Sequence, residues 1–271
     1  DNAATTRLDQ DAFEAMCPFL CENFGNASQP YSFSRVPKNA LKIARETIAS
    51  CINASPEEIF FTSGGTESDN WALKGILKTN ESQTVITSQI EHHAILHTCA
   101  SIEQVGNKVI YLPVDRNGIV DTNTLQEALV NKVALVSVMY ANNEIGSLEP
   151  IHELCNIAHR NGAKFHTDAV QAVGHVKIDV KEIGVDMMSA SPHKFNGPKG
   201  IGFLYVKTGT ALKPFADGGA QEYGMRAGTE NVAGIVAMSV ALKKACSHID
   251  DRRKHLLKLE DVLLQGLKKY N

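Results

Sequence analysis

Lys194, Asp168 and the Gly64-Gly65 turn are the positions in this sequence whose residue types and settings most directly offer chemistry. Lys194 closes the run Met187-Met188-Ser189-Ala190-Ser191-Pro192-His193-Lys194. An amine beside a strand end in apolar surroundings has a depressed pKa and is free for Schiff-base chemistry. A solvated loop lysine is the plainer reading, and Lys199 is a rival in the same loop. Asp168 sits in Phe165-His166-Thr167-Asp168-Ala169-Val170-Gln171, where a carboxylate is costly unless paired with a cation. It either caps the next helix or faces a buried positive group such as a protonated pyridine nitrogen. In Ser63-Gly64-Gly65-Thr66-Glu67-Ser68 the glycines let backbone N–H groups turn toward a ligand. Thr66 can act as N-cap there, and the helix N-terminus carries partial positive charge. That makes an anion site, most simply for phosphate, although an ordinary tight βα turn has the same pattern.

A phosphate cradle with Gly65 and Thr66, a buried aspartate and a strand-end lysine are together what pyridoxal phosphate requires. His92 suits a ring stacked on a flat cofactor. Asn143 and Gln171 could donate hydrogen bonds to a ring hydroxyl, or each could cap a helix. His92, His93 and His97 lack the Glu of an H-E-x-x-H arrangement, so no metal is expected. The Walker and G-x-G-x-x-G patterns are absent, which disfavours a nucleotide.

These residues need elements to position them. Short β-branched runs predict strands at Ile59–Thr62, Thr84–Thr87, Lys108–Leu112, Val133–Met139, Lys164–His166 and Met187–Ala190. Helical periodicity covers Glu67–Leu77, His92–Val105, Thr122–Leu129, Ile151–Arg160 and Asp179–Ile183. The alternation predicts a three-layer α/β/α sandwich around a mostly parallel mixed sheet. Gly200–Val206 follows Lys194 too closely for a helical crossover and is expected to add antiparallel. From about Val232 the chain reads as one long helix to its end. Thr62–Thr66, Glu91-His92, Asn142–Glu144, Asp168 and Ser191–Lys194 each follow a predicted strand. In a doubly wound sheet they share the carboxyl edge, where ligands bind.

Composition narrows the class. The 271 residues are 43 % hydrophobic with net charge −3, which excludes disorder and gives no electrostatic reason to expect nucleic acid or a membrane surface. No apolar run approaches the roughly 20 residues of a membrane span, and no secretory signal opens the chain. The sequence therefore reads as a cytoplasmic protein. Six cysteines, at 17, 21, 51, 99, 155 and 246, follow no metal-binding spacing and are expected to be reduced.

The ordered set of motifs is specific to one family. Asp1–Thr6, SGGTESDN (63–70), EHHAIL (91–96), NNEIG (142–146), HTDAVQ (166–171), SPHKFNGPKGIG (191–202) and RAGTEN (226–231) resemble the cysteine desulfurases. These are class V members of the fold-type I pyridoxal-phosphate enzymes, and the resemblance runs across essentially the whole chain. It implies the large domain of that fold, with an N-terminal arm over 1–12, a cofactor domain over 13–247 and a helix over 248–271 leading toward a small C-terminal domain largely absent here. By the same resemblance Lys194 carries the cofactor as an imine, Asp168 pairs with the pyridine nitrogen, His92 stacks on the ring, and Gln171 bonds its phenolic oxygen. Thr66, Ser191 and His193 would hold the phosphate, Thr229 would reach the phosphate of a partner subunit in a homodimer, and Asn143 would help hold the substrate carboxylate.

The implied reaction converts L-cysteine to L-alanine. Its sulfur passes through an enzyme persulfide to an acceptor or scaffold protein in iron–sulfur or thiocofactor assembly. A selenocysteine lyase, another class V enzyme or a truncated non-catalytic paralogue are the alternatives. In the family the sulfur-accepting cysteine and the substrate-carboxylate arginine lie in the small domain. Asp1 in place of methionine suggests an excerpt, and Tyr223 stands where relatives usually carry arginine.

Overall fold

β-branched and apolar segments pair into one seven-stranded sheet in the computed structural model, which describes residues 1–129 and 132–270. The strands are β1 (Ile59–Thr62), β2 (Thr84–Ser88), β3 (Lys108–Leu112) and β4 (Val133–Ser137), then β5 (Lys164–Asp168), β6 (Met187–Ala190) and β7 (Gly202–Val206). Their order is β1-β7-β6-β5-β4-β2-β3. Only β7 runs against its neighbours, pairing antiparallel with both β1 and β6. Helices α1 (Gln10–Met16), α2 (Pro18–Cys21) and α3 (Arg35–Cys51) precede the sheet. Within it come α4 (Gly65–Gly75), α5 (His93–Gln104), α6 (Thr122–Ala128), α7 (Ile151–Arg160) and α8 (Val180–Ile183). The chain then runs through α9 (Val232–Ser247) and α10 (Ile249–Leu267).

The inner parallel strands β4, β5 and β6 are buried on both faces, as their near-continuous apolar runs require. Leu135, Met187 and Leu204 pack on one face with Trp71 and Ile95 of α4 and α5. Val136, Phe165, Met188 and Phe203 form the other face with Ile48, Leu154 and Met238 of α3, α7 and α9. The three layers and the antiparallel addition are as the sequence predicts.

Three expectations need correction. The Val133–Met139 strand ends at Ser137, whereas the Lys164–His166 strand continues to Asp168. The C-terminal helix is two helices bent by 66° at His248. There the Ser247 hydroxyl donates to the Lys244 carbonyl, and His248 Nδ1 lies 2.9 Å from the same oxygen. Side chains occupying a carbonyl of the last turn break the ladder without glycine or proline. Beyond the bend, α10 leaves Leu256, Leu259, Val262 and Leu263 exposed, and residue 271 lies outside the described residues. No single helix among the described residues is long and apolar enough to cross a membrane.

Candidate active site

A cavity of about 580 Å³ opens at the carboxyl ends of β2, β4, β5 and β6, against the N-terminus of α4. Gly65, Thr66, His92, Asn143, Asp168, Gln171, Ser191, His193 and Lys194 all line it. Of the expected site residues only Thr229 is elsewhere, exposed beside a separate small cavity near Ser63 and Gly200. Lys199 is exposed and is not part of the lining, which removes Lys194's rival.

The floor begins with the β1–α4 turn. Gly64 takes φ +156°, and Gly202 of β7 packs so closely that a Cβ there would meet Gly64 Cα at 2.7 Å and the Ala190 carbonyl at 2.8 Å. This contact sets the turn against the sheet. The N-cap of α4 is Gly64, not Thr66, and no side chain caps the helix. The first helical bond runs from Ser68 N–H to Gly64 O, 3.1 Å, so the N–H groups of Gly65, Thr66 and Glu67 precede it. A side-chain cap would compete with an anion for those donors, so its absence fits a phosphate cradle. A Cβ at Gly65 would meet Val170 Cγ2 at 2.6 Å. The cradle tolerates only glycine at that point.

Asp168 ends β5, 5 % exposed, with Oδ1 accepting from Val170 N–H at 2.9 Å. Burial pushes its carboxyl above the usual range, against the Val170 hydrogen bond and the charges of His92 and Lys194. Lys194 lies in a 3₁₀ turn, Pro192–Lys194. Its Nζ donates to the carbonyls of Ala3 and Ala4, so the N-terminal arm folds over the cavity mouth. Burial lowers the Lys194 pKa while Asp168 pulls it back up. Gln171 Nε2 donates to Ala3 O at 2.9 Å. His193 Nδ1 lies 3.2 Å from Thr5 Oγ1, and burial, then the Lys194 charge, lowers its pKa. His92 is the N-cap of α5, its Nδ1 accepting from Ala94 N–H at 3.1 Å. With Nδ1 accepting, Nε2 is the nitrogen that carries a proton. Asn143 follows Asn142, whose Oδ1 accepts from Glu144 N–H and Ile145 N–H and thereby shapes the loop.

Beneath this floor lies a buried polar group, of which the sequence reading names Glu91 at a strand end but gives no role to Asp69 or His166. Asp69 of α4 also lines the cavity and is 1 % exposed. Among the described residues its Oδ1 has no hydrogen-bond partner; it lies 3.7 Å from His166 Nε2. His166 is fully buried, with Nδ1 2.9 Å from Ser137 Oγ and Nε2 3.0 Å from Ser189 Oγ. Burial pushes the His166 pKa down to about 3, so the ring is neutral. Glu91, 5 % exposed, accepts from Ser88 Oγ and Met139 N–H through Oε1, while Oε2 has no partner among the described residues. Burial pushes its carboxyl up to about 8. For His166 the signal was available, a polar side chain on a strand buried on both faces; Asp69 on α4 and Glu91 after β2 carried no such pattern.

A lysine half-buried opposite an acid, bare N–H groups at a helix start and a glycine-only wall fit pyridoxal phosphate. Comparison with known proteins agrees. The family model described as Aminotransferase class-V matches residues 1–271. The cysteine desulfurase IscS of Methanosarcina thermophila is 50 % identical over 271 residues, covering 99 % of this chain and 67 % of its own length. That of Clostridium botulinum is 48 % identical over 269 residues, 98 % of this chain and 68 % of the relative. Among solved structures, a NifS-like protein superposes with TM-score 0.97 at 38 % identity, covering 99 % of this chain and 75 % of that one. SspA in complex with cysteine superposes with TM-score 0.86, also at 38 % identity, covering 90 % of this chain and 71 % of that one.

Proposed function

The chain belongs to the aminotransferase class-V family, and we propose that it acts as a pyridoxal-phosphate-dependent cysteine desulfurase, taking sulfur from L-cysteine and leaving L-alanine. The observation that carries this reading is Lys194 and Asp168 facing one cavity whose far wall is the uncapped start of α4. The names of its relatives supply the substrate.

When bound, pyridoxal phosphate supplies an electron sink for the pair released at the substrate carbon. Lys194 supplies the amine that holds the cofactor's aldehyde carbon, and its Nζ is afterwards placed to move protons at the substrate. Its lowered pKa keeps a larger neutral fraction than an exposed lysine would have. Asp168 is the carboxylate for the ring nitrogen, and a cation arriving there favours its ionised form. The α4 N–H groups, with Thr66, Ser191 and His193, are the phosphate donors. His92, fixed through Nδ1, presents one ring face and an Nε2 proton to the cavity. Asn143 at the rim is placed for a carboxylate.

None of the cavity-lining residues is a cysteine. The thiol that receives sulfur therefore approaches from beyond the cavity before passing it to an acceptor or scaffold protein. Thr229, exposed and off this cavity, suits contact with the phosphate site of a second copy. We accordingly read the working unit as a cytoplasmic homodimer. The test is visible absorption. Pyridoxal phosphate added to the chain should give an imine band that borohydride fixes and that Lys194→Ala abolishes. A folded chain that stays colourless, or a Lys194→Ala variant with the same band, overturns the reading.

A further inference from the structure

The polar groups behind the cavity floor form a line that, apart from Asp168, the reaction above does not use. Ser137 of β4, His166 and Asp168 of β5 and Ser189 of β6 lie on one face of the sheet, because His166 and Asp168 are two residues apart and Ser189 is the registered neighbour of Asp168. Asp69 closes the line from α4, beside Ser189. Three carboxyls surround this spot: Asp69, Asp168 and Glu91. The cations and imidazoles facing it are His166 from β5, His92 at the start of α5 and Lys194 across the cavity. Among the described residues no lysine or arginine pairs with Asp69, and its Oδ1 is unpartnered at 1 % exposure. Burying a charge with no counter-ion and a single hydroxyl, that of Ser189, for a partner is costly, and a carboxyl so placed keeps its proton.

We infer that Asp69 is a positioning residue, a neutral acid held behind Asp168 so that Asp168 is the only ionised carboxylate in the floor. This rests on the pyridoxal-phosphate reading for its purpose, since a second negative charge would disturb the pairing at the ring nitrogen. It does not rest on that reading for its test. Burial, then the neighbouring Asp168 charge, drive the Asp69 pKa upward.

The hydrogen-bond line has a direction that reports the proton. Ser189 has one hydroxyl hydrogen. If Asp69 is protonated, it donates to Ser189 Oγ, Ser189 donates to His166 Nε2, and the ring proton sits on Nδ1 facing Ser137. If Asp69 is ionised, Ser189 donates to the carboxylate and the ring proton moves to Nε2. The tautomer of His166 therefore reads the state of Asp69.

The experiment is nitrogen NMR of the full chain labelled at histidine, with His166 assigned from a His166→Gln spectrum, followed from mildly acid to neutral pH. The expected result is the Nδ1–H tautomer throughout, in the wild-type chain without cofactor. An Nε2–H tautomer overturns the proposal, and the wild-type spectrum decides even if every variant fails to fold. Infrared spectra give a second arm. Asp69→Asn should remove one carboxylic-acid carbonyl band, and an unchanged band count overturns the assignment. With pyridoxal phosphate, Asp69→Asn, which keeps the group neutral, should weaken binding less than Asp168→Asn does. Equal weakening by both would overturn the neutral role of Asp69. A chain with the Nδ1–H tautomer that takes up no pyridoxal phosphate would support the assignment while removing the functional reading.

Discussion

Replacing Glu222 by glutamine isolates the ion pair that pins the loop carrying Thr229. The partner is Arg45 of α3, and the two side chains are 12 % and 4 % exposed. Glu222 Oε1 accepts from Arg45 Nη2 at 2.6 Å, while Oε2 accepts from Arg45 Nη1 and from Phe61 N–H, both at 2.8 Å. The loop needs this clamp, because Glu222 and Tyr223 both take positive φ, 46° and 58°, at a cost of about 1 kcal/mol or more each. Tyr223 lays its ring 5.4 Å from the Arg45 guanidinium and edge-on to Phe60. Glutamine keeps the volume but has one acceptor oxygen, and its amide points hydrogens at donors. Removing one partner of a buried pair costs about 3–5 kcal/mol. Arg45 keeps its hydrogen bond to the Ile59 carbonyl and lies 4.2 Å from the Phe61 ring, so the low end applies. At about 2–4 °C per kcal/mol for a chain of this size, melting should fall by on the order of 10 °C. The assay is thermal melting of wild type, Glu222→Gln, Arg45→Met and the double variant. The double should lose less than the two singles together by about 1 kcal/mol or more. A Glu222→Gln chain melting within about 2 °C of wild type, or strictly additive losses, would refute the clamp.

Glu91 makes stability depend on pH in a set direction. Its carboxyl is raised from 4.5 to about 8, so the folded state binds the proton more tightly than the unfolded one. The stabilisation is complete below pH 4.5 and is lost as pH rises to about 8. At 1.36 kcal/mol per decade of proton concentration this comes to about 5 kcal/mol. Glu91→Gln should flatten that part of a urea-melting profile, and an unchanged slope would contradict the assignment. Gly202→Ala should cost about 1–3 kcal/mol in urea melting, because its Cβ would strike backbone atoms of Gly64 and Ala190 that no rotamer change can move. Wild-type stability in that variant would show the β1–α4 turn to be loose.

The strands were legible because parallel strands buried on both faces spell continuous apolar runs, and the short 191–201 connection left β7 no topology but antiparallel. Once the strand ends were placed, the site followed, since one edge of the sheet gathers Thr66, His92, Asn143, Asp168 and Lys194. Helix α3 was missed although Leu41, Ala44 and Ile48 mark its buried stripe. Exposed Val36 and Ile43 blur that stripe, and Pro37 reads as a breaker, although the first turn of a helix tolerates proline. The bend at His248 depends on side-chain bonds to the Lys244 carbonyl that no propensity encodes.

The remaining misreadings fall where the site overrides local rules. Thr66 was expected to cap α4 because threonine caps helices, yet a capped α4 would have given its N–H groups an internal acceptor. Asp69 sits one turn further on, four residues after Gly65, where an aspartate ordinarily faces water. It is instead turned inward onto the sheet beside His166. The first departure favours positive potential for an anion at the helix start; the second places a hydrogen-bonding acid beside Ser189 and His166, behind Asp168. A helix selected for stability alone would reverse both choices, with a side-chain cap at its first residue and an apolar group at position 69. The cost of each departure is borne by α4, which is why the sequence rules that describe its neighbours fail there first.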